Sequence, residues 1–289
     1  MELENSLKLE KFNPEVLREY DIRGIVGKTL NANTAYSIGR TFGFEVSQKF
    51  KLGKVTVGYD GRLTSPFLHD AVCRGLIDAG LNVISIGMCP TPMAYFSNYH
   101  LNSDAVIMVT GSHNPSEYNG FKMVLNKHAF YSDQIQNLQS LLESQKLTSL
   151  SGVFSEKDIK NEYIKRNLKN INLKKKLKIA WDTANGAVGA VIKEFTSQLL
   201  NSENIIINQK VDGNFPNHHP DPTVPKNMEQ LIETVIENSC DIGLAFDGDG
   251  DRLGVIDNKG NIVWADQYMI LLSKEISEFY DNPKIIMDV

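Results

Sequence analysis

Two short stretches combine residue types that could do chemistry. The first is Thr110-Gly-Ser-His-Asn-Pro115 and the second is Asp247-Gly-Asp-Gly-Asp-Arg252. The first follows an apolar run, Ala105 to Val109, that reads as a buried strand. Gly111 permits unusual backbone angles, and Pro115 fixes φ and removes a donor, so the strand must end there. A serine at such a strand end is exposed, held by backbone and free to carry a covalent group, although a serine in a turn often does no more than cap it. The flanks are not the Gly-x-Ser-x-Gly elbow of hydrolases, because Thr110 and Asn114 stand at the glycine positions. In the second stretch, Asp247, Asp249 and Asp251 alternate with glycines, and their carboxylates repel one another unless a cation intervenes. The plain alternative is a solvated acidic turn. Hard oxygen ligands suit Mg²⁺, which typically keeps room for water or phosphate oxygens. A calcium EF-hand is excluded, since its loop wants Gly where Arg252 stands and Glu where Asn258 stands. Arg252 can pair a phosphate bidentately.

The elements around these stretches explain why they belong together. Lys54 to Tyr59 reads as a buried strand closed by Asp60-Gly61, and Ser65-Pro66 opens a helix to Ala79. A helix capped by Asn33 or Thr34 precedes it, and Asn82 to Ile86 is the next strand. Gly120 to Leu125 reads as an antiparallel edge strand, and a polar helix follows over about residues 132–144. Periodicity is lost over 145–157, which sets a domain boundary, and then the pattern restarts. Lys178 to Asn185 and its helix match Val55 to Gly61 and its helix. Asp104-Ala-Val-Ile-Met-Val-Thr-Gly111 matches Asp241-Ile-Gly-Leu-Ala-Phe-Asp-Gly248. The serine loop and the acidic loop thus occupy equivalent strand ends of two similar α/β units, where ligands bind in open α/β sheets, so they could face one cleft. With a metal loop in that place, a phosphoryl-carrying Ser112 that hands its group to a sugar phosphate becomes the better reading.

Other residues point the same way less specifically. Lys122, on the strand after the serine loop, could move protons to and from a sugar hydroxyl or be a solvated edge lysine. Arg23 could bind phosphate or merely pair with Asp21, and His113 could orient a phosphoryl oxygen or only bond its own loop. His218 and His219, in a Pro-rich loop without ligand spacing, read as surface residues, and residues 1–13 as a loosely held lead-in. Val255 to Ala265 reads as a hairpin, Asp266 as the cap of a helix to about Phe279, and Pro283 to Val289 as a strand. The expected layout is therefore residues 1–150 with the serine loop, 151–254 with the metal loop, and 255–289 as the start of a third unit. That third unit is expected to be truncated, or completed by self-association or by further domains.

The totals bound the setting. A chain of 289 residues suggests two domains, and a net charge of −5 argues against nucleic acid or anionic membrane as the main partner. Cys73, Cys89 and Cys240 lie far apart in apolar segments and read as buried free thiols, which fits a reducing cytoplasm. The N-terminus lacks a signal-peptide pattern, and no apolar run approaches the roughly 20 residues of a membrane helix.

The motifs Tyr20-Asp-Ile-Arg-Gly24, Gly58-Tyr-Asp-Gly-Arg62, Thr110 to Pro115 with Tyr118-Asn-Gly-Phe-Lys122, and Asp247 to Arg252 together resemble the α-D-phosphohexomutases. Within them the chain, over nearly its whole length, is similar to the N-terminal half or more of a member of the bacterial phosphomannomutase/phosphoglucomutase group. The resemblance implies an α/β fold of two similar mixed-sheet α/β/α domains plus the start of a third. It implies Ser112 as the phosphoserine, whose phosphoryl oxygen joins Asp247, Asp249 and Asp251 around Mg²⁺. It also implies Lys122 and Arg23 as the proton-handling pair with His113 beside them, and Arg252 and Tyr20 on the substrate side. The implied reaction interconverts hexose 1-phosphate and hexose 6-phosphate, of mannose or glucose, through a hexose 1,6-bisphosphate. Two rival readings remain at this level. An apolar strand followed by Asp-x-Asp also resembles haloacid-dehalogenase-type phosphatases, with Asp247 as nucleophile. Alternatively, the chain only binds Mg²⁺ and sugar phosphate, without catalysis.

Overall fold

A computed structural model of the chain describes residues 7–286 other than 52, 145, 146, 148 and 149. The first unit runs β1 (Ile22–Ile25), α1 (Ala32–Lys49), β2 (Lys54–Tyr59), α2 (Ser65–Asp78), β3 (Asn82–Met88), α3 (Thr91–His100), β4 (Ala105–Val109), β5 (Tyr118–Leu125), β6 (His128–Ala129), α4 (Asp133–Glu143) and β7 (Val153–Glu156). The second runs α5 (Lys160–Leu168), β8 (Leu177–Asp182), α6 (Ile192–Gln198), β9 (Ser202–Ile207), α7 (Glu229–Glu237), β10 (Ile242–Phe246), β11 (Leu253–Asp257) and β12 (Ile262–Val263). α8 (Ala265–Phe279) follows.

The first sheet has the order β1-β5-β4-β2-β3-β7, with β6 beside β5, and the second has β12-β11-β10-β8-β9. Their centres repeat one plan. β2 lies parallel between β3 and β4, as β8 lies parallel between β9 and β10, and the strand after each special loop, β5 or β11, runs antiparallel. Even the start is duplicated. Asp104 Oδ2 accepts from the Lys54 amide at 2.8 Å, and Asp241 Oδ2 accepts from the Lys178 amide at 2.8 Å.

β4 is an unbroken apolar run because both its faces are covered. Ala105, Ile107 and Val109 pack with α1, α2 and α4 residues such as Ile38, Leu68 and Ile135, while Val106 and Met108 pack with Met93 and Ala94 of α3. In the second unit Ala180 faces Leu231 and Val235 of α7, and Ile179 and Trp181 face Ile192 of α6. Each sheet is thus a layer between helices. The three cysteines are free and buried. Among the described residues no helix is long and apolar enough to cross a membrane.

Several local expectations are corrected. β5 is interior, because β1 pairs along its outer side with Ile22 opposite Phe121. Val153–Glu156, inside the stretch expected to be a linker, adds to the first sheet beside β3. The hairpin near 255–265 is present, but as β11 and β12 it extends the second sheet beside β10. Asn31 rather than Asn33 or Thr34 caps α1, accepting from the Thr34 amide at 3.0 Å. Trp264 rather than Asp266 heads α8, its amide donating to Gln267 Oε1 at 2.9 Å. The lead-in is tied down from residue 7 onward: Glu10 N donates to Ser37 Oγ at 2.8 Å, and Phe12 is buried. Residues 283–286 form no strand, and 287–289 lie outside the described residues.

Candidate active site

Asp60, at the carboxyl end of β2, organises the serine loop. Its Oδ2 accepts from Thr110 Oγ1 at 2.8 Å and from the Gly111 amide at 3.1 Å, and its Oδ1 accepts from Ser65 Oγ at 2.5 Å. Arg62, two residues on, has Nε 3.2 Å from Asp60 Oδ2. Its guanidinium donates to four carbonyls of the serine loop: Ser112 at 2.8 Å, Asn114 at 2.6 Å, Pro115 at 2.6 Å and Tyr118 at 3.1 Å. A planar fork of fixed donors is the side chain that can do this. The loop so held places Ser112 at φ +49°, a left-handed conformation uncommon outside glycine and kept here by surrounding bonds. Ser112 is not exposed as expected but buried, because the acidic loop of the other unit covers it.

The acidic loop comes from the other sheet and meets it. Asp247 Oδ1 accepts from the amides of Asp251 and Arg252, each at 3.0 Å, which turns the loop on itself. Its Oδ2 accepts from Ser112 Oγ at 2.9 Å. Gly248 is required by close approach, since a Cβ there would stand 2.4 Å from the Ser112 carbonyl oxygen. Asp249 is fully buried. Its Oδ2 receives Lys122 Nζ at 2.7 Å and Thr91 Oγ1 at 2.5 Å, with Thr110 Oγ1 at 3.1 Å, and its backbone oxygen accepts from the Thr91 amide at 2.8 Å. Lys122 Nζ also reaches Asp251 Oδ2 at 2.5 Å.

The remaining expected residues ring this contact. Arg23, carried by β1 beside β5, pairs with Asp21 and donates to Asn114 Oδ1 at 2.9 Å, so it touches the serine loop as well as its neighbour. His113 Nδ1 is 3.4 Å from Ser112 Oγ, and its Nε2 is 3.4 Å from Arg252 Nη2. Arg252 in turn lies 3.5 Å from Asp221. Tyr20 is exposed and lines a cavity of about 440 Å³ with Lys122, Asp251, Tyr95 and Tyr99.

Electrostatics follow from burial and crowding. Burial, with Asp249 and Asp251 adding to it, pushes the Asp247 carboxyl up to about 8. Burial works against the Asp249 carboxylate too, but Lys122 and the Thr91 hydroxyl outweigh it and hold Asp249 at about 2. Burial would lower Lys122, yet Asp249 and Asp251 more than reverse this and raise it. Burial and then Arg252 lower His113, which keeps its imidazole neutral at pH 7.

The donor set fits a hard cation. One oxygen each of Asp247, Asp249 and Asp251 lies within 4.8 Å of the others. Asp249 Oδ1 is buried without a hydrogen-bond partner, and the Lys122 ammonium already sits between Asp249 and Asp251 as a positive charge would. Asp247 does not fit a phosphatase nucleophile, because its Oδ1 is held by two backbone amides and its Oδ2 by the Ser112 hydroxyl.

Four contributors were not foreseen: Asp60, Arg62, Thr91 and Thr110. Asp60, Arg62 and Thr110 stand inside motifs already singled out, whereas Thr91, at the start of α3, lies outside all of them. His218 is corrected from surface residue to half-buried partner, its Nε2 lying 2.9 Å from the fully buried Asp182.

Known proteins share this arrangement of units. Family models described as phosphoglucomutase/phosphomannomutase α/β/α domain I and domain II match residues 14–148 and 160–260. The phosphomannomutase/phosphoglucomutase of Pseudomonas putida is 45% identical over 276 residues, covering 95% of this chain and 59% of the relative. The phosphoglucomutase of Neisseria meningitidis serogroup B is 41% identical over 277 residues, with 95% and 60% covered. A crystal structure of a phosphoglucomutase/phosphomannomutase family protein from Burkholderia thailandensis superposes with a TM-score of 0.88 at 40% identity, over 93% of this chain and 60% of that one. The fold is the α/β/α architecture of the phosphohexomutases. The chain belongs to the phosphoglucomutase/phosphomannomutase family, and it spans 59–60% of the length of these relatives.

Proposed function

We propose that Ser112 is a phosphoryl carrier in a hexose-phosphate mutase, interconverting hexose 1-phosphate and hexose 6-phosphate of glucose or mannose. The observation that carries this reading is the Ser112 Oγ to Asp247 Oδ2 contact at 2.9 Å, which joins a hydroxyl of one unit to an acidic cluster of the other. In the transfer, the bond between Ser112 Oγ and phosphorus breaks as a sugar hydroxyl oxygen bonds to that phosphorus, and the hydroxyl proton passes to a protein base. The resulting hexose 1,6-bisphosphate returns its other phosphoryl group to Ser112 by the reverse of these steps. Asp247, Asp249 and Asp251 would hold Mg²⁺, which when bound neutralises charge on the phosphoryl oxygens.

Lys122 and Arg23 handle protons at the sugar. Lys122 keeps its proton for as long as Asp249 and Asp251 face it, and can give or take one at the sugar only on leaving them. Neutral His113 and Arg252 attend the phosphoryl oxygens, and Tyr20 stands at the mouth of the cavity beside Lys122.

Incubation with glucose 1,6-bisphosphate and Mg²⁺, followed by peptide mass spectrometry, tests this reading. A stable phosphate on Ser112 is the expected result. A hydroxylamine-labile phosphate on Asp247, or none on the chain, would overturn it.

The metal assignment has its own test. Changing a group behind a metal ligand weakens affinity by about 10–100-fold, so loss of a buried ligand charge should do at least as much. Asp249→Asn is therefore expected to weaken Mg²⁺ binding by about 100-fold or more in calorimetric titration. An unchanged affinity would remove the triple-carboxylate site.

A further inference from the structure

Between β9 and α7 a polar, Pro-rich segment leaves the second unit and lies across the first. Val211 packs against Gly61, where a Cβ would come within 2.3 Å of its Cγ1. Gly213 lies over the backbone at the start of α2, since a Cβ there would be 2.5 Å from the Leu63 nitrogen. The Phe215 ring then covers the face of Arg62, with its centroid 5.1 Å from Cζ. The same ring has its Cζ 3.6 Å from where a Cβ of Gly248 would stand. One aromatic side chain thus touches both the arginine that holds the serine loop and the glycine that lets the acidic loop approach.

The base of the segment is fixed in the second unit. His218 Nε2 meets buried Asp182 at 2.9 Å, and Asn185 Nδ2 donates to the Lys210 carbonyl at 2.8 Å. The Asp212 amide donates to the Asn185 carbonyl at 2.9 Å, and the Phe215 amide to the Asp212 carbonyl at 3.0 Å. Phe215 itself sits at φ +50°, so its position is imposed by these neighbours.

We propose that residues 209–221 form a strap between the units, and that Phe215 on it is a positioning residue that keeps the Arg62 guanidinium seated on the serine loop. The Nη donors of Arg62 point in the plane of the guanidinium at the four loop carbonyls, while Nε lies 3.2 Å from Asp60 without a hydrogen bond. Gly111 packs against the guanidinium, where a Cβ would come 2.3 Å from Cζ, and the Phe215 ring laid over it attracts the cation and keeps water off those bonds. Without it, Arg62 can tilt out of the carbonyl plane, and the loop that aims Ser112 loosens while the sheets persist.

Hydrogen exchange over residues 111–118 tests this with no need for turnover. Phe215→Ala should raise exchange there about tenfold and leave β2, β4 and β8 unchanged, whereas Phe215→Tyr, which keeps the ring, should restore protection. Phe215→Leu, a milder change that preserves apolar bulk and the fold, should show the same local acceleration in smaller measure. Unaltered exchange at 111–118 in the Ala and Leu chains, or acceleration spread evenly over both sheets, would overturn the proposal.

A second readout rests on Ser112 as phosphoryl carrier. In Phe215→Ala the rate of Ser112 phosphorylation at saturating glucose 1,6-bisphosphate should fall about tenfold with its half-saturation unchanged. If the unsubstituted chain takes up no phosphate, the carrier reading fails, and the exchange experiment still decides the strap.

Discussion

A Ser112→Ala chain should take up no phosphoryl group from glucose 1,6-bisphosphate, and should lose at least about a thousandfold in any glucose 1-phosphate to glucose 6-phosphate conversion that the unsubstituted chain supports. The size follows from the chemistry. No other hydroxyl contacts Asp247 among its described hydrogen bonds, so the acceptor oxygen has no substitute. The loop should survive the change. Its anchors are the Ser112 amide on Thr110 Oγ1 at 2.8 Å and the Ser112 carbonyl on Arg62, and neither involves the side chain. Alanine meets the left-handed angle no worse than serine to a first approximation. The bonds lost are that to Asp247 and the longer one to His113, together worth about 1–2 kcal/mol of stability. Phosphate incorporation and a urea unfolding curve separate the two effects. Phosphate elsewhere on the variant at an undiminished rate would remove Ser112 from the reaction.

The largest effect on the fold is expected at Arg62. Its side chain is fully buried, as is its partner Asp60. Arg62→Met would leave the Asp60 carboxylate without its charge partner and remove the guanidinium donors from four loop carbonyls, of which that of Pro115 keeps a second donor, the Tyr118 amide. Breaking a buried pair from one side typically costs about 3–5 kcal/mol. That should appear as a matching loss in the free energy of unfolding, and as disorder of the serine loop in crystals or by exchange. Arg62→Lys should recover only part, because one ammonium cannot reach carbonyls that a planar fork spans. A loss below about 1 kcal/mol for Arg62→Met would show that the carbonyl bonds contribute little.

The sequence was most legible where structure is local. Ala105 to Val109 announces a strand covered on both faces. The duplicated Asp104 and Asp241 starts align two units by inspection, and this places Ser112 and the acidic loop at matching strand ends. What escaped depends on distant partners. β1 makes β5 interior only because Ile22 finds Phe121 almost a hundred positions away, as the register records. Val153–Glu156 is short and largely exposed, with no alternation to mark it as a strand. His218 is distinguished from His219 by Asp182 and Asn208, and no spacing rule predicts those pairings. Arg62 stands in the sequence only as the end of a short motif, and its task is visible once four carbonyls converge on it.

The 2.9 Å contact between Ser112 and Asp247 bears on how a turnover must proceed. Oxygen atoms that close leave no room for a tetrahedral substituent between them. On the proposed reading, an ester on that hydroxyl cannot lie along this line, so either the Ser112 side chain turns to another rotamer or the two loops separate by the depth of a phosphoryl group. A structure of the loaded chain distinguishes a purely local rearrangement from a change in the spacing of the two loops.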